Sequence, residues 1–185
     1  MKKGHSKSKG SGFEREIAKM LSLFWSDQKH KDLCWRSTSS GARGTVQRTA
    51  TKAYHGDLAS TSPLMDNFFE TFCLELKFYK DVDISEVLRG CKSKILTWWT
   101  QCKKSAVLSH RIPILIYKSN NRPIYLVCDH RALCMGRSFI AKPWAMPMVS
   151  LGNKLHILPF EEVLKQLDIT QVKDFVNGSL TIIKD

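Results

Sequence analysis

Residues 72–80 read FCLELKFYK, and no other stretch restricts the fold as tightly. In an extended chain successive side chains point to opposite sides. Phe72, Leu74, Leu76 and Phe78 then line one apolar face, and Cys73, Glu75, Lys77 and Tyr79 line the other. A strand this apolar is good enough for a core sheet. It nevertheless sets a glutamate and a lysine side by side on one face. Either the pair is a solvated edge, contributing at most about 1 kcal/mol, or it belongs to a site.

The flanking segments supply the rest of a sheet protein. Phe13, Ile17, Met20, Leu21 and Phe24 recur at helical spacing and predict an amphipathic helix from Ser11 to about Trp25. Ser11 is its expected N-cap and Glu14 the capping-box partner, which leaves residues 1–10 as a basic, flexible arm. LCWR (33–36) reads as a short strand. Residues 36–52, rich in Gly, Ser and Thr, make a loop unusually long for a compact domain. After the 71–79 strand comes a helix over 86–108 with a break near Gly90, then two strands joined at SNN. ALCMG reads as a helical turn or loop, and residues 144–158 as one or two strands. LPFEEVLKQL forms a short helix, and a last helix ends at Gly178. This order predicts an α/β fold with a mixed central sheet flanked by helices, in one domain over 11–185.

Charge narrows the partners. Twenty-nine Lys and Arg against seventeen Asp and Glu give a net charge of +12, a field that draws in polyanions such as nucleic acid. It does not separate a binder from an enzyme. No apolar run approaches the roughly 20 residues of a membrane span, and no basic amphipathic helix suits a membrane surface. MKKGHSKSKGSGFER lacks the apolar core of a signal peptide. The expectation is a cytoplasmic chain with no membrane partner. Six scattered cysteines, without a CxxC pair or a Cys/His cluster, read as reduced core residues and give no support for zinc.

Phosphodiester hydrolysis explains why a core strand would carry Glu75 and Lys77. A magnesium ion takes one or two carboxylates together with water and phosphate. A neighbouring cation orients or activates the attacking water and offsets charge growing on phosphorus. The second carboxylate is expected at Asp57 in YHGDLAS, where Gly56 permits an unusual backbone or a close approach; Asp66 in PLMDNFF competes. On the first helix Glu14 and Glu16 flank the apolar stripe on opposite sides, and periodicity does not choose between them.

Gly56-Asp57 followed by Glu75-Leu76-Lys77 resembles the PD-(D/E)XK nuclease superfamily, with Gly-Asp where some members have Pro-Asp. Lys9, Gly10, Ser11, Glu14 and Arg15 are similar to the Lys-Gly-Ser-x-x-Glu-Arg opening of archaeal-type and phage Holliday junction resolvases. Trp98, Trp99 and Gln101, followed by an apolar strand, a basic turn and Pro-x-Tyr-x-Val, resemble the helix and strands after the motif in phage members. The resemblance covers residues 9 to about 128, and the residues after about 130 form a C-terminal extension without it. It implies a restriction-endonuclease-like fold and a DNA-cutting enzyme that works on branched DNA as a homodimer. It assigns Mg2+ or Mn2+ to Asp57 and Glu75, water orientation to Lys77, a second ion or water to Glu14, and a place near the active centre to Gln101. Arg36, Ser39, Arg43, Arg48 and Lys52 are expected to touch phosphates, and Lys103 and Lys104 to help attract DNA. Trp98 or Trp99 could stack on a base. The competing expectations are a nuclease for other DNA structures and a non-catalytic nucleic-acid binder with the same fold.

Overall fold

The computed structural model describes residues 5–37, 55–129, 132, 147–151 and 155–183. Helix α1 (His5–Trp25) leads into a short antiparallel ribbon, β1 (Cys34–Arg36) against β2 (Leu58–Ser60). A 3-10 turn (Pro63–Met65) and helix α2 (Asp66–Thr71) precede β3 (Phe72–Tyr79). Helices α3 (Ser85–Leu88) and α4 (Lys94–Ser109) then cross to β4 (Ile112–Ser119), which is followed by β5 (Ile124–Cys128), β6 (Val149–Leu151), β7 (Leu155–Pro159), α5 (Phe160–Gln166) and α6 (Ile169–Ile183).

The main sheet runs β3-β4-β5-β7-β6. β3 pairs with β4 in parallel, with Glu75 opposite Leu115 and Lys77 opposite Tyr117; the other pairings are antiparallel. β3 is therefore an edge strand of this sheet. Its two faces meet different layers. Phe72, Leu74 and Leu76 pack with Phe13, Ile17 and Leu21 of α1, Phe68 and Phe69 of α2, and Val172 and Val176 of α6. Leu115, Tyr117 and Val127, on the face of Glu75 and Lys77, pack with Ile95, Trp99 and Cys102 of α4. β3 is buried from Phe72 to Leu76 and becomes exposed only towards Tyr79.

Local chemistry sets most of the boundaries. Ser93 caps α4, its hydroxyl accepting from Leu96 N at 3.2 Å, and His110 ends the helix in the left-handed region at φ 53°. Gly90, at φ +68°, breaks the chain between α3 and α4 where the sequence suggested. Asn121, at φ 56°, makes the expected turn between β4 and β5. Ser22 ties α1 to β1: it donates to Ala18 O and accepts from Cys34 N.

Several expectations need correction. α1 begins at His5, so most of the supposed arm is helical. Ser11 lies inside the helix, where its carbonyl and hydroxyl accept from Arg15, and is not its N-cap. Once Phe13 and Ile17 anchor a helix, each further residue adds a hydrogen bond for little entropy, and polar residues can continue it. α6 runs through Gly178 to Ile183, since an interior glycine costs only about 1 kcal/mol. α2 and β2 were not foreseen, being too short to show a period. Cys34, Cys73, Cys102 and Cys128 are buried free thiols, but Cys91 is exposed. Ser39, Arg43, Arg48 and Lys52 lie outside the described residues, as does the ALCMG turn apart from Ala132.

Ile17, fully buried between α1 and the sheet, tests this packing. Ile17→Ala is expected to lower stability by about 2–5 kcal/mol, seen as a lower urea midpoint at unchanged slope. A loss below about 1 kcal/mol would mean that α1 does not seat here.

Candidate active site

An edge strand leaves a row of backbone groups without a neighbouring strand. In β3 two of them are taken by one residue. Asp57 N donates to Leu74 O at 2.8 Å, and Leu76 N donates to Asp57 Oδ2 at 2.7 Å. The carboxylate is thus fixed against the strand edge beside Glu75. The preceding residue makes this approach possible. Gly56 has φ +100°, and a Cβ there would sit 3.0 Å from Leu74 O, so any side chain would meet backbone as well as an unfavourable conformation. Ser37 grips the same turn, its hydroxyl donating to Gly56 O at 3.0 Å and its N–H to Asp57 O at 2.9 Å. Arg111 Nη1 donates to His55 O at 3.3 Å. Ser37 and Arg111 were not foreseen; both act on backbone from distant elements, which no local spacing reveals.

Helix α4 lies antiparallel over the second face of β3: Cys102 reaches Cys73 O, Gln101 reaches Glu75, and Trp98 meets Tyr79. Glu75 is 5% exposed. Its Oε1 accepts from Lys77 Nζ at 2.5 Å and from Gln101 Nε2 at 3.0 Å. A buried carboxylate without such partners would be strongly disfavoured. The Lys77 side chain remains about a quarter exposed.

The two glutamates of α1 lie in different surroundings. Glu16 turns outward to Lys118 of β4, at 3.0 Å. Glu14 pairs with Arg36 of β1 and lies near enough to Asp57 for the two charges to oppose each other. Asp66 is exposed in the first turn of α2, separate from this cluster. Asp57, Glu75, Lys77 and Gln101 therefore come together, with Glu14 beside them. Lys103 and Lys104 are exposed on α4, with Lys103 Nζ 5.9 Å from the centre of the Trp99 ring. Arg36 is engaged with an acid.

The electrostatics favour a cation. Burial, then the charges of Glu75 and Glu14, push the Asp57 carboxyl from 3.8 up to about 7, against the opposing pull of the Leu76 N–H and Lys77. Carboxylates crowded in this way have too little positive charge around them. Among the described residues no three Asp, Glu, His or Cys side chains form a ready ion cage. The Asp57–Glu75 pair nevertheless suits an ion that takes one or two carboxylates and fills its shell with water and phosphate oxygen.

Two outcomes test this geometry. Gly56→Ala is expected to destabilise the fold by about 1–3 kcal/mol and to displace Asp57, lowering the melting temperature; an unchanged melting temperature would remove the close approach. The raised Asp57 pKa means that the folded chain holds this proton more tightly than the unfolded chain. Without divalent ions, stability should therefore fall as pH rises from about 4 through about 7. Asp57→Asn should flatten that fall in melting curves taken across the range with a chelator present.

No curated protein and no solved structure matches the chain significantly. A family model described as "Phage putative PDDEXK endonuclease" matches residues 5–174, from the start of α1 into α6. The mixed five-stranded sheet flanked by helices is the restriction-endonuclease-like arrangement that such a nuclease uses. The chain belongs to this family of phage PDDEXK endonucleases and, through it, to the PD-(D/E)XK nuclease superfamily.

Proposed function

We propose that the chain is a divalent-metal-dependent endodeoxyribonuclease that resolves four-way DNA junctions as a homodimer. The observation that carries the metal-dependent reading is the closeness of Asp57 and Glu75 at the edge of β3, with Lys77 and Gln101 both on Glu75. The junction reading rests on the Lys9-Gly10-Ser11-Glu14-Arg15 opening, whose glutamate lies beside Asp57. The net charge of +12 supplies affinity for the DNA backbone.

Asp57 and Glu75 would hold Mg2+ or Mn2+, which when bound supplies Lewis-acid polarisation of the phosphate and a more acidic water. The chain's own groups do the rest. Asp57, stapled to Leu74 and Leu76, presents its carboxylate in a fixed direction. Gln101 holds the Glu75 carboxylate from the α4 side. Lys77, held on Glu75, would bring its ammonium group to the attacking water and the phosphate oxygens, offsetting the charge that grows there. Glu14 orients a second ion or a water. In this role it would leave Arg36, which would then be free to contact phosphate.

Glu75→Gln and Asp57→Asn are each expected to lower cutting by at least about 100-fold while leaving DNA binding nearly intact, because basic side chains carry the affinity. Four-way junctions should be nicked in symmetric pairs and linear duplex largely spared. Lys77→Ala should slow the chemical step without weakening binding. Equal cutting of junction and duplex would leave a nuclease without the resolvase role. Strong binding with no cutting in Mg2+ or Mn2+ would leave a DNA-binding protein.

A further inference from the structure

Glu75 and Lys77 are not the last functional groups on their face of β3. Tyr79 comes next on the same side and is 45% exposed, high for a tyrosine at the end of a core strand. At about 3.3 Å per residue it lies roughly 13 Å beyond Glu75, or about four nucleotide steps of stacked DNA. Its ring is supported from below. Trp98 meets it at 6.0 Å, Tyr117 meets Trp98 at 6.3 Å, and Tyr125 stacks on Tyr117 at 5.3 Å. Lys94 Nζ lies over the Tyr79 ring, 4.4 Å from its centre, and covers one of its faces. Trp98 is one helical turn from Gln101, so α4 joins this aromatic row to the Glu75 site.

Tyr79 also borders a cleft of about 690 Å3. Lys9, Lys80 and Lys94 line it, and so do Asp81, Asp83 and Glu86. Its charges balance, which suits a neutral heteroaromatic group better than a phosphate. Asn120, also at the cleft, carries both a donor and an acceptor on its side-chain amide. Base-on-aromatic stacking is how proteins hold unpaired nucleotides, and Lys94 is the cation within reach of the neighbouring phosphate.

We propose that Tyr79, backed by Trp98, is a platform on which an unpaired base of the bound DNA stacks once Lys94 leaves the ring face for the DNA backbone, so that the site favours DNA with unpaired nucleotides near the cut over continuous duplex. The proposal rests on the reading of this face as the one DNA crosses. It adds a substrate feature that the acid cluster does not supply.

The test compares binding of a continuous duplex with binding of the same duplex carrying a short single-stranded gap, both in chelator to prevent cutting. Wild type should prefer the gapped DNA. Tyr79→Ala should lower that preference about tenfold, and Tyr79→Phe, which keeps the ring, should retain it. A 2-aminopurine in the gap should be quenched on binding by wild type and Tyr79→Phe but not by Tyr79→Ala. Melting curves establish that each variant is folded. A preference that survives in Tyr79→Ala, or is lost equally in Tyr79→Phe, overturns the platform. If cutting disappears in Glu75→Gln while the preference ignores Tyr79, the platform fails and the nuclease stands. If the preference depends on Tyr79 and no DNA is ever cut, the platform stands and the nuclease reading fails.

Discussion

The pairing of Asp57 with the free edge of β3 is the contact on which the candidate site depends. A backbone edge in a core sheet needs partners, and here a single aspartate supplies an N–H to Leu74 O and a carboxylate oxygen to Leu76 N. Two needs are met together. The strand edge is satisfied without another strand, and a carboxylate is held beside Glu75 with little freedom to move away. Gly56 permits the approach, and Ser37 and Arg111 hold the turn from behind.

That arrangement concentrates negative charge, and the surroundings are built around it. Lys77 and Gln101 share one oxygen of Glu75, and Arg36 holds Glu14. Asp57 alone of these acids accepts no side-chain cation in a described hydrogen bond, and it is the one whose proton is held up to about 7. A proton is the smallest cation that can relieve such crowding. A divalent ion bound between Asp57 and Glu75 would relieve it more fully and would compete with that proton.

Much of the fold was legible because its signals are local. The alternation in FCLELKFYK, the helical spacing from Phe13 to Phe24, the break at Gly90 and the SNN turn each arise from the geometry of a few adjacent residues. Where the sequence misled, local preference was too weak to decide. Ser11 and Gly178 have the chemistry of helix ends, yet both lie within helices whose apolar faces are packed. α2 and β2 are too short for any period to emerge.

The sequence by itself determined that Glu75 and Lys77 share a face of a core strand, because alternation is a property of extended backbone geometry alone. It also determined that Gly56 could bring Asp57 unusually close to another backbone. The family resemblance pointed to Glu14 and Gln101, but only the tertiary structure decided that Arg36 is held by an acid and that Ser37 and Arg111 converge on the Gly56–Asp57 turn. Those outcomes depend on how α1, β1 and the start of β4 are rotated and seated around β3. Such seating is set by the packing of whole faces and not by the spacing of neighbours along the chain.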